Sequence, residues 1–229
     1  RRLDVFYYLP EFVELEKKIR KITSKTLGDY SINIAGGATP EKDEPEKYYT
    51  DSTDNGVPFL RVQNVTESEL NLEDCKHINF DTHNGMLKRS QVKEGYLITK
   101  ITGVGRMAVS SVAPKGFDGN INQHLVAIKT DSYQISEVLA AFLNSDIGER
   151  LAFRRSTGGT RPALDYPALL SIPILNDPRV LKITNKVVEQ KKQNEAQAEK
   201  LLASIDDYLL KELGITLPLG KIKLLPFLI

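Results

Sequence analysis

The sequence predicts a mixed α/β (α+β) chain: a β-rich globule over residues 1–176, then a long helix and tail over 177–229 that forms an antiparallel coiled coil. Three observations predict it. Runs rich in β-branched residues, broken by Gly and Pro, fill the centre of the chain. Apolar residues at helical spacing flank that centre on both sides. A helical pattern of about 35 residues then starts at Pro178.

Each element follows from local pattern. Phe12, Leu15, Ile19 and Ile22 recur at spacings of three, four and three, one face of a helix. Pro10 stands in its first turn, where proline is favoured, and Gly28 closes the region. Residues 31–34 form a short strand, Ala35-Gly-Gly-Ala-Thr-Pro40 a turn, and the acidic stretch after it a loop. Residues 57–62 and 77–80 have strand character, and residues 88–92 make a short helix before Gly95. Residues 96–101, 107–112 and 123–129 alternate or run apolar as strands do, with breaks at Gly103, Gly105, Pro114, Gly116 and Gly119. Ser136 is a good N-cap for a helix over 136–143 whose face is Val138, Leu139, Phe142 and Leu143; helix resumes after Asn144 over 147–155. Residues 169–175 are a last extended segment, which Pro173 places at a sheet edge.

The final helix is expected over residues 178–213. Val180, Ile183 and Val187 keep heptad spacing, as do Ala198, Leu201, Ile205 and Tyr208. Between them the stripe is polar at Gln190, Lys191 and Asn194, and the step from Asn194 to Ala198 adds a residue, a local stutter. Such a helix spans roughly 50 Å at about 1.5 Å per residue, and its stripe needs a partner. An antiparallel coiled coil supplies one, with polar positions selecting register; the alternative is a helix folded back on its own domain. Gly214 ends it, as glycine commonly does.

Composition bounds the function. The hydrophobic content of 41% and charged content of 27% are those of an ordinary globular protein. No apolar run approaches the roughly 20 residues that span a bilayer. No signal-peptide pattern opens the chain, and the single cysteine, Cys75, fits a reducing compartment, so a cytoplasmic location is expected. The chain opens on Arg1 rather than Met, as a fragment of a longer polypeptide would. The formal net charge of +1 does not advertise nucleic-acid binding, but the distribution is uneven. Residues 41–54 carry six acids against two lysines, whereas residues 147–163 carry Arg150, Arg154, Arg155 and Arg161 against Glu149 alone.

Catalytic patterns are scarce. No phosphate-loop motif or nucleophile elbow occurs. Gly103-Val-Gly-Arg-Met-Ala108 has dinucleotide-loop spacing, but Val109-Ser-Ser-Val-Ala-Pro114 is too short and β-branched for the helix that must receive a pyrophosphate. A glycine-flanked hairpin presenting Arg106 fits better. Cys75, His77 and His83 lack the paired spacing of a zinc site and are expected to be a buried thiol beside surface histidines. Glu16-Lys17-Lys18 contains a Glu-x-Lys pair found in nucleases, but on an amphipathic helix it is expected on the solvated face. No catalytic residue, metal site or cofactor is therefore expected.

Polyanion recognition fares better. DNA binding needs cations and amides for phosphates, and bidentate side chains for base edges, with Arg and Lys suited to guanine and Asn and Gln to adenine. Such residues cluster on expected loops: Arg61, Gln63 and Asn64; Lys100, Thr102 and Arg106; Asn122, Gln123 and His124; and Arg154, Arg155, Thr157, Thr160 and Arg161 in the polar stretch Arg154-Arg-Ser-Thr-Gly-Gly-Thr-Arg-Pro162.

Several blocks stand in a characteristic order and spacing: Gly36-Gly-Ala-Thr-Pro40, Pro58-Phe-Leu-Arg-Val-Gln-Asn64, Gly95-Tyr-Leu-Ile-Thr-Lys-Ile-Thr-Gly-Val-Gly105, Asn122-Gln-His124, Thr157-Gly-Gly-Thr-Arg-Pro-Ala-Leu164 running to Ile172-Pro-Ile174, and Asp206-Asp-Tyr-Leu-Leu210. Together they resemble the specificity subunit of Type I restriction–modification systems, at half length: one target recognition domain with its helical spacer. The resemblance implies a recognition domain docking on the DNA major groove, spacer helices paired antiparallel, and a non-catalytic role directing an adenine-N6 methyltransferase subunit and a restriction/translocase subunit to a bipartite site. With one unit and one helix, it implies a homodimer through Val180, Ile183, Val187, Asn194, Ala198, Leu201, Ile205 and Tyr208. The methyltransferase motif Asn/Asp-Pro-Pro-Tyr/Phe is absent; Asn176-Asp-Pro178 and Asp165-Tyr-Pro167 do not fit it. Two alternatives stand beside this. One is the C-terminal recognition part of a fused restriction–methyltransferase, whose lead-in the opening Arg1-Arg-Leu-Asp-Val-Phe-Tyr-Tyr-Leu-Pro10 resembles. The other is a coiled-coil adaptor that binds protein and not DNA.

Overall fold

Two sheets share the strand-forming centre of the chain. The computed structural model describes residues 5–41 and 43–214, with the backbone alone at Asp206; residues 1–4 of the expected lead-in and 215–229 of the expected tail lie outside them. The first sheet is four-stranded and antiparallel, ordered β1 (Asn33–Gly36), β9 (Leu125–Lys129), β6 (Leu97–Lys100), β7 (Ser110–Val112). The second is five-stranded, ordered β2 (Tyr49–Thr50), β4 (Lys76–Asn79), β3 (Gly56–Leu60), β8 (Asp118–Ile121), β5 (Gln91–Lys93). Within it β3 and β8 run parallel, with Phe59 opposite Asn120 and Leu60 opposite Ile121.

The first sheet is covered on both faces, which explains its unbroken apolar runs. Successive side chains of a strand point to opposite faces. From β9, Val126 and Ile128 enter one core with Leu97, Leu139, Leu143, Leu151 and Leu169, while Leu125 and Ala127 enter a second core with Leu60, Val92, Ile98 and Ile121. Burying a Leu or Ile side chain contributes about 1.5–3 kcal/mol, so Leu125-Val-Ala-Ile128 anchors both layers. A small third cluster, Val57, Phe59, Ile78 and Leu87, packs with Tyr49 on the second sheet.

Helices close the first core. α1 (Pro10–Arg20) buries Phe12 and Ile19 as expected, but Ile22 lies beyond its end, exposed, and Glu16 is buried instead. After α2 (Pro45–Tyr48), within the expected acidic loop, and α3 (Phe80–Asn84), come α4 (Tyr133–Leu143) and α5 (Asp146–Arg155). The cap of α4 is Ser132, whose hydroxyl accepts from the Ile135 N–H. Ser136 is instead buried inside the helix and donates to the Gly95 carbonyl at 2.6 Å. Residues expected as a last strand begin as a helix, α6 (Tyr166–Leu170), because Asp165 caps it by accepting from Ala168 N–H at 2.7 Å; Pro173 makes only an isolated bridge with Thr26. Strand β8 went unforeseen: Asp118-Gly-Asn has turn composition, and it becomes a strand because β3 and β5 flank it.

The chain divides into two compact units after Thr184. That division falls inside the expected long helix, which is α7 (Pro178–Ala203) followed by α8 (Ile205–Glu212). Helix α7 buries no side chain, and Ile183, Val187, Leu201, Ile205 and Tyr208 are all exposed. At Ser204 the hydroxyl donates back to the Leu201 carbonyl, which interrupts the regular helix for one residue. Gly214 follows the last turn with φ of 63°.

Candidate nucleic-acid interface

Five segments distant in sequence meet at one edge of the first unit. The β8–β9 turn is Asn122, Gln123 and His124, closed by Leu125 N–H donating to the Asn122 carbonyl and by His124 N–H donating to the Asn122 side-chain oxygen. Asn122 N–H donates to the Leu60 carbonyl, beside Arg61. His124 Nδ1 lies 3.2 Å from the Thr102 hydroxyl, and the Ile101 N–H donates to the His124 carbonyl. Residues 157–163 dock on the same loop: Thr102 and Thr157 both bridge to Ala163, and Leu164 N–H donates to the Ile101 carbonyl at 2.8 Å. The loop before the acidic stretch arrives from the other side, where the Thr39 hydroxyl donates to Gln123 Oε1.

Two glycines permit this convergence. A Cβ on Gly37 would stand 2.2 Å from the carbonyl oxygens of Ile121 and Asn122, so only glycine lets the two backbones approach. Gly158 has φ of +95°, and a Cβ there would meet the Arg161 carbonyl oxygen at 2.9 Å. It turns the chain back so that Thr157 and Ala163 exchange backbone hydrogen bonds of 2.8 Å.

Beside the β8–β9 turn lies a groove of about 890 Å³, lined among others by Thr39, Tyr49, Arg61, His77, Gln123 and His124. Arg61 holds the Asp74 carbonyl through Nη2 at 3.2 Å, while its buried Nε has no hydrogen-bond partner among the described residues. Tyr49 packs edge-on against Phe59, with Lys76 Nζ 5.3 Å from its ring centre. Burial pushes the Cys75 thiol above its ordinary value, so it stays protonated at neutral pH. Glu41, Asp51 and Asp74 also line the groove, which therefore presents both donors and acceptors, not a one-sign trough. Thr39, Tyr49 and His77 were not picked out from sequence as binding residues; isolated polar and aromatic positions carry no such signal until β2, β4 and the 36–40 turn are set side by side.

Several expected contact residues serve the fold instead. Arg154 and Arg155 are 8% and 4% exposed and pair with Glu16, Arg155 at 2.8 Å. Arg154 also donates to the Tyr7 carbonyl and stacks 4.3 Å over its ring. Neither guanidinium reaches the surface to meet a phosphate, because α5 turns both inward onto α1; Glu16 likewise leaves the solvated face it was expected to occupy. Arg106 is claimed by Glu67 and Glu149, each at 3.1 Å, and by the Asn144 carbonyl at 2.8 Å. Asn64 is buried, accepting from Arg61 N–H and donating to the Asn71 carbonyl. Asn122 is buried by the turn it closes. Of the expected contact residues, Gln63, Gln123, Thr157, Thr160 and Arg161 are exposed, and Arg61, Lys100, Thr102 and His124 half-buried. His83, expected at the surface, is buried against Asn120, with Nε2 3.4 Å from Asp118. Among the described residues no three His, Cys, Asp or Glu side chains group as a metal site, and no helix is long and apolar enough to cross a membrane.

The fold is similar to that of proteins from restriction–modification systems. The type IIG restriction endonuclease BpuSI matches with a TM-score of 0.59 at 9% identity, over 79% of this chain and 28% of that one. A chain from a type I restriction–modification complex matches with a TM-score of 0.50 at 14% identity, over 88% of this chain and 52% of that one. The S subunit of a Type I system from M. genitalium is a further structural neighbour, with a TM-score of 0.46 at 12% identity, over 83% of this chain and 45% of that one. At these identities the likeness is one of fold, and the chain spans about half the length of the Type I chains it matches. No protein-family model and no curated protein matches it.

Proposed function

We propose that the chain is a non-catalytic, sequence-specific reader of double-stranded DNA, the specificity component of a restriction–modification complex. It directs an adenine-N6 methyltransferase subunit and a restriction/translocase subunit to the target, and works as a homodimer through its C-terminal helix. The observation that carries this reading is the meeting of Arg61, Asn122–His124, Thr102 and residues 157–163 at one edge, each of which presents an exposed or half-buried donor. Arg161 and Lys100 hold phosphates, and displaced counterions make affinity fall with salt. Gln63, Gln123, Thr157 and Thr160 face base edges, where each good bidentate contact contributes about 1–3 kcal/mol of discrimination. The chain's work is positioning; the methyl transfer belongs to the partner.

Fluorescence anisotropy against a library of duplexes over a salt series, with and without a methyltransferase partner, tests this. Selective binding with a steep salt slope is expected. Absence of binding at low salt with the partner present would leave the protein-binding adaptor in its place. A second reading is favoured by the similarity to a stretch of BpuSI: the same reader as the recognition part of one longer restriction polypeptide. The reading frame upstream of Arg1 decides between the two.

A further inference from the structure

The charge of the groove beside the β8–β9 turn does not suit a phosphate backbone. Its charged lining is Arg61 and Lys76 against Glu41, Asp51 and Asp74. Lys76 is held over the Tyr49 ring, and none of the three carboxylates makes an ion pair among the described residues. Carboxylates left uncompensated at such a place repel phosphates. What they accept from duplex DNA is an exocyclic amino group, which the major groove shows on cytosine N4 and adenine N6.

The fold fixes one cation and one of these carboxylates side by side. Arg61 and Asp74 close the loop between β3 and β4, where Arg61 Nη2 donates to the Asp74 carbonyl at 3.2 Å and the Cys75 thiol donates to the Phe59 carbonyl at 3.6 Å. The loop is braced from inside: buried Asn64 accepts from Arg61 N–H at 2.8 Å and exchanges two hydrogen bonds of 2.9 Å with Asn71. Arg61 is half-buried, and its Nη1 makes no hydrogen bond among the described residues; Asp74 is exposed. The pair is therefore in place before a ligand arrives, and little ordering is left for binding to do.

We propose that this groove reads one C·G base pair, with Arg61 on the guanine and the Asp74 carboxylate on the cytosine amino group. The inference rests on the DNA-reader function above, and adds to it a residue and the identity of a base pair. Guanine offers O6 and N7 to a guanidinium, and cytosine offers N4 to a carboxylate. Guanine O6 and cytosine N4 are hydrogen-bonded to each other, about 3 Å apart, so neighbouring side chains reach both. An A·T pair fits less well: opposite the adenine amino group, thymine gives Arg61 one O4 beside a methyl group in place of two acceptors.

Selection from duplexes with a randomised stretch, followed by anisotropy titration with the methyltransferase partner present, tests it. The native protein is expected to require C·G at one position. Asp74→Ala is expected to relax that position alone, with discrimination falling by about 5–150-fold, the equivalent of about 1–3 kcal/mol. Placing 7-deazaguanine, which lacks the N7 acceptor, at the same pair should weaken binding by the native protein and by Asp74→Ala, and leave Arg61→Ala indifferent. A purely structural role for Arg61 would not give that pattern. Should Arg61→Ala fail to fold, the exposed Asp74 position still decides the matter. Selective binding in which Asp74→Ala relaxes no position, or relaxes an A·T pair, overturns the assignment and leaves the reader standing. Absence of any sequence preference in the native protein removes both.

Discussion

Arg155 and Glu16, 139 residues apart in the chain, meet at 2.8 Å in the interior of the first unit. Their contact joins α5 to α1, and the carboxylate is shared with Arg154 and Arg20. A single buried carboxylate is thus the shared counter-charge of two buried guanidiniums. Breaking a buried ion pair from one side is strongly destabilising, because the charge left behind is uncompensated. Glu16→Gln is expected to lower unfolding free energy by about 3–5 kcal/mol in urea titrations, with little change in DNA affinity for the fraction that remains folded. A selective loss of DNA affinity at unchanged stability would return these arginines to the interface.

The same carboxylate sets an acid dependence. Burial raises the Glu16 carboxyl, but hydrogen bonding and charge from Arg155, the hydrogen bond from Arg20 and the charge of Arg154 outweigh it, so the group titrates below the ordinary carboxylate range. A depressed folded value means the stabilisation is fully present above the unfolded pKa, about 4.3 for Glu, and is lost as pH falls through the folded value. Melting temperature measured from pH 7 to pH 3 is expected to fall more steeply in the native protein than in Glu16→Gln. Parallel curves would show that the Glu16 carboxyl titrates alike in the folded and unfolded chain.

At the proposed interface, two substitutions separate affinity from specificity. Arg161→Ala is expected to weaken binding to all duplexes alike and to reduce the magnitude of the salt slope by about 1, the signature of a lost phosphate contact. Gln123→Ala is expected to relax sequence preference, worth about 1–3 kcal/mol between cognate and variant duplexes. Anisotropy titrations at several salt concentrations distinguish the two, and identical behaviour of the variants would contradict the division of roles.

Gly158→Ala probes the loop without touching a candidate contact. Its φ of +95° and the 2.9 Å approach to Arg161 make any side chain strained, at a cost of roughly 1–2 kcal/mol. The melting temperature should fall by only a few degrees while DNA affinity drops. An unchanged affinity would place the 157–163 loop outside the interface.

Core packing offers a control away from the edge. Ile98 is fully buried between the two sheets, and Ile98→Ala is expected to cost about 2–5 kcal/mol by denaturant titration, with sequence preference retained.

Much of this was legible in the sequence where one period ruled one segment. The Phe12–Ile19 face, the apolar runs around Leu97 and Val126, the α4–α5 pair and the long polar-centred helix all follow from spacing. Residues 35–40 were recognisable as a turn, and the Asn122–His124 and Thr157–Arg161 segments as polar loops able to hold a polyanion. Less legible were elements whose partners are remote: β8 needed β3 and β5, and α6 needed Asp165 to outweigh an extended-looking apolar run.

By itself, then, the sequence determined the class of fold, the segments that carry donors, and the apolar spacing of the C-terminal helix, because these depend on neighbours within a few residues. Only the tertiary structure decided which cations are free to meet a ligand. Arg154, Arg155 and Arg161 share one stretch of chain, yet two are turned into the interior onto Glu16 and the third faces water. Burial of a charge is settled by where its counter-charge comes from, and here it comes from a helix nearly 140 residues away.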